Sequence, residues 1–186
     1  MKKIGLTTML LITISIFLHA QDKVYTKTGK IFFECTKSPL EKIEAINKSS
    51  TCVLDIKTGR LQFAVLMKGF EFQRSLMQEH FNENYVESSK FPKSDFAGEV
   101  VNNGEINYAK DGEYTVKVKG KLQIHGQTKD VETTGKLMIK GGRIIANAQF
   151  AIQLSDYNIR IPSIVSDKLS NNVNIIIDCN LEPFKS

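Results

Sequence analysis

The stretch EYTVKVKGKLQIH, Glu113 to His125, decides how this chain folds. Tyr114, Val116, Val118, Gly120, Leu122 and Ile124 are apolar or small, and they alternate strictly with Glu113, Thr115, Lys117, Lys119, Lys121, Gln123 and His125. A period of two sets the first group on one face of a β-strand and the second on the other. The stretch therefore predicts a long strand with one apolar face, and that face needs a cover.

The same alternation returns on both sides. In RIIANAQFAIQL, Arg143 to Leu154, the residues Ile144, Ala146, Ala148, Phe150, Ile152 and Leu154 share a face. Val173, Ile175, Ile177, Cys179 and Leu181 do so again, and weaker versions run over 31–35, 52–56, 61–67 and 96–101. TG, NNG, DG and GG punctuate them as turns. This order predicts an antiparallel meander. Only one segment reads as helix, too little to cover so many strands, so the apolar faces must cover one another as a two-sheet sandwich or a closed barrel. Strands near a dozen residues long suit the barrel, being longer than the usual five or six. Ala146 and Ala148 beside Phe150 leave space at one level of the interior, where a packed core would be filled.

The N-terminus reads as an export signal over residues 1–20. Lys2 and Lys3 precede an apolar run, Leu10 to Leu18, that is too short to span a bilayer, and His19-Ala20 offers a small-residue cleavage site. Residues 21–186 then form a single domain, not membrane-spanning and periplasmic or secreted. Taking Lys2 and Lys3 from the 25 Lys+Arg leaves 23 against 20 Asp+Glu, or about +3. The cations are scattered singly, without the basic clusters and interleaved aromatics of a nucleic-acid surface. Cys35, Cys52 and Cys179 each fall on an apolar side and read as buried thiols, with Cys35 and Cys179 the pair to suspect if the first and last strands meet.

SLMQEHFNENYVESSKFP, Ser75 to Pro92, is the helical segment. Ser75 and Gln78 have capping-box spacing, and Met77, Phe81 and Tyr85 recur every four residues as a face to lie on the barrel, along its side or across an opening. Glu79, Glu83 and Glu87 form a stripe predicted to face water. His80 and Glu83 could share a cation with His125, but no HExxH or paired CxxC supports a metal-dependent hydrolase. No GxSxG supports a nucleophile either. Asp55, Asp95 and Asp156 are conceivable carboxylates in a cleft; Asp156 reads better as a brace for the turn at Tyr157, and Gly126 as a bulge or turn residue.

LMQEHFNENYVESSKFPKSDFAG, GKLQIHGQTKDV and DYNIRIP, in that order, resemble the YceI-like family, over roughly 51–183. Leu122 to Gly126 stand where the family has its LTIHG-like strand end, with Gln123 in place of the more usual Thr, and Asp156-Tyr157 match its Asp-aromatic pair. QRSLMQEHF departs from the family's Arg-Asp-His-Leu run and lacks its Asp. The resemblance implies a lipocalin-like antiparallel β-barrel with one short amphipathic helix, binding a polyisoprenoid or similar long-chain lipid without a cofactor. The residues expected to line the interior are Phe63, Val65, Phe96, Val116, Val118, Leu122, Phe150, Ile152, Ile175 and Ile177. A structural β-domain with a filled core is the other reading of those same faces. The sequence leaves a homodimer open.

Overall fold

The computed structural model of the protein describes residues 22–37 and 42–184; the export signal read at 1–20 lies outside them. Nine strands and one α-helix follow in the order β1 (Lys23–Thr36), β2 (Glu44–Asp55), β3 (Arg60–Leu66), β4 (Phe70–Phe72), α1 (Ser75–His80), β5 (Lys93–Val100), β6 (Gly112–Ile124), β7 (Gln127–Lys140), β8 (Arg143–Gln153) and β9 (Leu169–Pro183). All pairings are antiparallel. β1, β2 and β3 lead through β5 to β9 as neighbours, and β9 pairs back with β1, so eight strands close a barrel. β4 is a short spur on β2, pairing Ala45 to Asn47 with Phe72 to Phe70.

The stretch EYTVKVKGKLQI lies in β6, which is paired along its whole length with β7 from Gly112↔Ile139 to Ile124↔Gln127. Its apolar set faces inward and its lysines face out. Lys119 reaches Glu132 and Lys121 reaches Asp130 across the outer surface. His125 and Gly126 alone join the two strands, with φ of 50° and 72°. Positive φ at both central residues gives the turn the twist that a two-residue hairpin needs, and glycine takes the second position without strain.

Two clusters of buried side chains occupy the interior. The one nearer the 101–111 loop gathers Leu54, Val100, Ile106, Val116, Leu137, Ile139 and Leu181. The one nearer α1 gathers Ile31, Val65, Met67, Phe70, Leu122, Tyr157 and Ile159. β7 and the part of β2 before Cys52 were illegible in the sequence. β7 carries Thr133 and Gly135 on its inward face, and β2 carries Asn47 and Ser50, both fully buried. Asn47 Nδ2 donates to the Leu66 carbonyl at 2.9 Å and Ser50 Oγ to the Gly29 carbonyl at 2.7 Å, so the polar groups are satisfied inside.

Candidate functional site: an apolar cavity under a helical lid

A cavity of about 420 Å³ runs through the barrel. Well-packed interiors leave few voids larger than a water molecule, and the volume falls in the range of small-molecule sites. The interior is therefore not filled. Phe63 and Val65 of β3, Phe96 of β5, Val116, Val118 and Leu122 of β6, Phe150 and Ile152 of β8, and Ile175 and Ile177 of β9 all line it.

Small residues make the space. Gly98 and Gly120 are paired across β5 and β6, and the Phe96 ring lies over both. A β-carbon on either glycine would come within 2.7 Å of that ring's Cζ. The ring can lie along the wall only because both positions lack one. Thr133 and Gly135 of β7 and Ala146 and Ala148 of β8 thin the wall next to β6, and of these the alternation in the sequence exposed only the two alanines.

The cavity opens at the end that carries α1. Arg74, Leu76 and His80 from the start of the helical segment and Lys168 from the 154–168 connection line it while remaining exposed. The helix continues into a π-turn, Phe81–Tyr85, in which Val86 N–H bonds to the Phe81 carbonyl at 3.0 Å. Met77, Phe81 and Tyr85 face the cavity together, so the segment lies across the opening. Phe81 is the centre of an aromatic cluster, 5.6 Å from the Phe33 ring, 5.6 Å from Phe70 and 5.1 Å from Phe72. The capping box does not form. Arg74 is the N-cap, in extended conformation, and Gln78 Oε1 instead accepts from the Phe72 N–H at 3.4 Å.

The π-turn also breaks the glutamate stripe. Glu79 and Glu83 face water, but the extra residue in the turn carries Glu87 round to the barrel. Both nitrogens of His125 are engaged there: its Nδ1–H donates to the Tyr157 carbonyl at 3.0 Å and Nε2 meets Glu87 Oε2 at 2.7 Å. Phe91 packs edge-on against the imidazole at 4.6 Å. The hairpin turn thus clasps the end of the lid to the turn at Tyr157.

Residues 23–181 match the sequence profile of the YceI-like domain. The chain belongs to the YceI-like family. The match begins at β1, earlier than the resemblance legible from about residue 51. Among solved structures, a polyisoprenoid binding domain from Saccharophagus degradans has a TM-score of 0.76 at 13% identity, over 88% of this chain and 99% of that one. BcnA of Burkholderia cenocepacia has a TM-score of 0.66 at 15% identity, over 83% and 96%. A mutant YceI protein of Campylobacter jejuni with a monobromobimane guest has 0.53 at 15%, with both chains covered in full. At such identities the likeness is one of fold. Among curated protein sequences none matches this chain significantly.

Within this YceI-like barrel the alternative reading, a metal-dependent hydrolase at His80, Glu83 and His125, finds no assembled cluster. His80 lies at the mouth, Glu83 on the exposed side of the lid and His125 in the clasp, and among the described residues no group of three or more His, Cys, Asp or Glu is placed to hold a metal ion. Asp55 accepts from Lys57 N–H and Thr58 N–H in a turn, Asp95 pairs with Lys93 outside, and Asp156 sits in the 3-10 turn Leu154–Tyr157. The cysteines are buried and free. β1 and β9 do meet, yet Cys35 lies toward the mouth, where burial pushes its thiol up to about 12. Cys179 sits in the opposite cluster with Cys52, whose thiol is raised by a hydrogen bond with Cys179 and by burial.

The clasp can be tested by itself. The hydrogen bond from His125 holds the Glu87 carboxyl below its ordinary range, assisted by Lys90. A depressed carboxylate contributes stability above its unfolded pKa and loses it as pH falls through the lowered folded value. His125→Ala is expected to speed amide exchange over residues 75–92 by about tenfold at neutral pH while β6 to β9 stay protected. Acidifying the parent through the lowered Glu87 pKa should loosen the same segment, as read by hydrogen exchange followed by mass spectrometry.

Proposed function

We propose that this protein is an exported carrier that holds a polyisoprenoid or similar long-chain lipid in the barrel. The observation that carries the reading is the unfilled apolar cavity, open at one end beneath the aromatic side of the lid. Burial supplies affinity here, about 25 cal/mol for each Å² of apolar surface removed from water, so a long tail needs few polar contacts. The ten inward side chains named from the sequence form the walls against which the tail lies. The polyisoprenoid binding domain of Saccharophagus degradans, with the same fold, supports the ligand class. Lys2, Lys3 and the short apolar run before Ala20 support export.

Mass spectrometry of protein from an exporting host tests both parts. The chain should have lost residues 1–20, and a solvent extract should contain one dominant long-chain lipid in stoichiometric amount. Ala148→Phe places a ring in the cavity beside Gly135, and is expected to fold normally yet bind a fluorescent prenol at least about tenfold more weakly. An empty extract together with unsaturable binding by the parent would remove the carrier reading.

A further inference from the structure

A long prenyl chain is almost insoluble, so a carrier of the kind proposed above must receive and release it at a surface that already holds lipid. This inference rests on that reading. The mouth has the features such contact requires. Ile164, in the 3-10 turn Ser163–Val165, is 85% exposed, and Leu76, in the first turn of α1, is 59% exposed. Leu76 lines the mouth, as does Val165 beside Ile164. Two separated apolar side chains do not make the contiguous patch that a protein partner would cover, but each can enter the interfacial layer of a bilayer.

Among the described residues the exposed charges at the mouth are cationic. Arg74 and Lys168 are exposed there, while Asp95 lines the cavity half-buried and paired with Lys93, and Glu79 and Asp167 lie on the same two elements as the cations without lining it. Lys37 adds a cation beside Lys168, its Nζ donating to the Ser166 carbonyl at 2.8 Å and its N–H to the Lys168 carbonyl at 3.0 Å. Among the described residues no helix is long and apolar enough to cross a membrane. We propose that the barrel docks mouth-down on an anionic bilayer, with Ile164 and Leu76 inserted at the interface and the surrounding cations facing acidic headgroups. In that pose the opening meets the layer from which a tail can slide in.

Cosedimentation with empty vesicles tests docking without any prenyl ligand. The parent should bind vesicles of equal parts phosphatidylcholine and phosphatidylglycerol and leave vesicles of phosphatidylcholine alone in the supernatant. Ile164→Asp and Lys37→Glu, each altering a residue outside the cavity wall, should each weaken that binding by about tenfold. Uptake of geranylgeraniol tagged with a nitrobenzoxadiazole fluorophore, delivered from cyclodextrin, should be unchanged in both variants, while its transfer from anionic vesicles slows in parallel with docking. Normal uptake from cyclodextrin with equal binding to both vesicle types would overturn docking and leave the carrier reading intact. Docking without any uptake would support the surface and remove the carrier. A parent dimer that Ile164→Asp dissociates in sedimentation velocity, with no vesicle binding, would assign the face to a second copy and overturn the proposal.

Discussion

Val118→Glu is expected to abolish saturable uptake of a fluorescent prenol, lowering affinity by more than about a hundredfold, while Lys119→Glu binds it nearly as well as the parent. The two residues are neighbours on β6 with opposite fates. Val118 lines the cavity between Val100 and Thr133, its pairing partners on β5 and β7, and both of these neighbours are uncharged. Solvent in the empty cavity can hydrate the new charge, so the variant should fold, at a cost of about 1 to 3 kcal/mol. A bound tail would expel that water, which is why binding suffers more than folding. Lys119 lies on the outer surface, bridged to Glu132 at 3.1 Å and paired with Glu99. Reversing its charge sets three carboxylates side by side and costs at most about 1 kcal/mol. Fluorescence titration and urea unfolding on both variants separate the two effects. Equal binding would show that no ligand occupies the wall at Val118.

The second large effect concerns the wall itself. Gly98→Val is expected to destabilise the barrel by about 3 kcal/mol or more, or to prevent folding. A β-carbon at 98 would stand 2.7 Å from the Gly120 Cα and 2.7 Å from the Phe96 ring. The first obstacle is backbone held in the β5–β6 ladder and cannot yield by rotating a side chain. Gly104→Ala is the matched control, because nothing lies within 4 Å of the added carbon; its expected change is within about 0.5 kcal/mol. Urea unfolding midpoints compare the two. A Gly98→Val protein as stable as the control would mean that Phe96 does not lie over the glycine pair.

Much of this architecture is local and therefore readable. β6, β8 and β9 each keep one face apolar over ten or more residues, and a period of two names the inward set without knowledge of any partner. That local property was enough to name the wall residues of those three strands; weaker alternation over 61–67 and 96–101 added Phe63, Val65 and Phe96, and four-residue spacing marked the helical segment. Short segments in order carried the resemblance to the YceI-like family, and that resemblance implied the lipocalin-like class. β7 and the part of β2 before Cys52 hid because the test looks for apolarity. Asn47 and Ser50 are buried for the carbonyls they reach, on residues 66 and 29, and a polar letter gives no sign of such a partner.

Tertiary structure decided the rest. Closure depends on β1 pairing with both β2 and β9, so that Val24 lies opposite Leu54 and Pro183, and no window of sequence contains that contact. Glu87 looked like part of a solvated stripe beside Glu83 because helical spacing is a local inference. One π-turn and a hairpin 38 residues away made it the partner of His125 instead. Hollowness is of the same kind: alternation states which side chains point inward, while the distance to the opposite wall follows from the number of strands that close and from a ring lying flat over two glycines on different strands. Side-chain direction is set within a few residues of backbone, whereas enclosed volume is a property of the closed barrel.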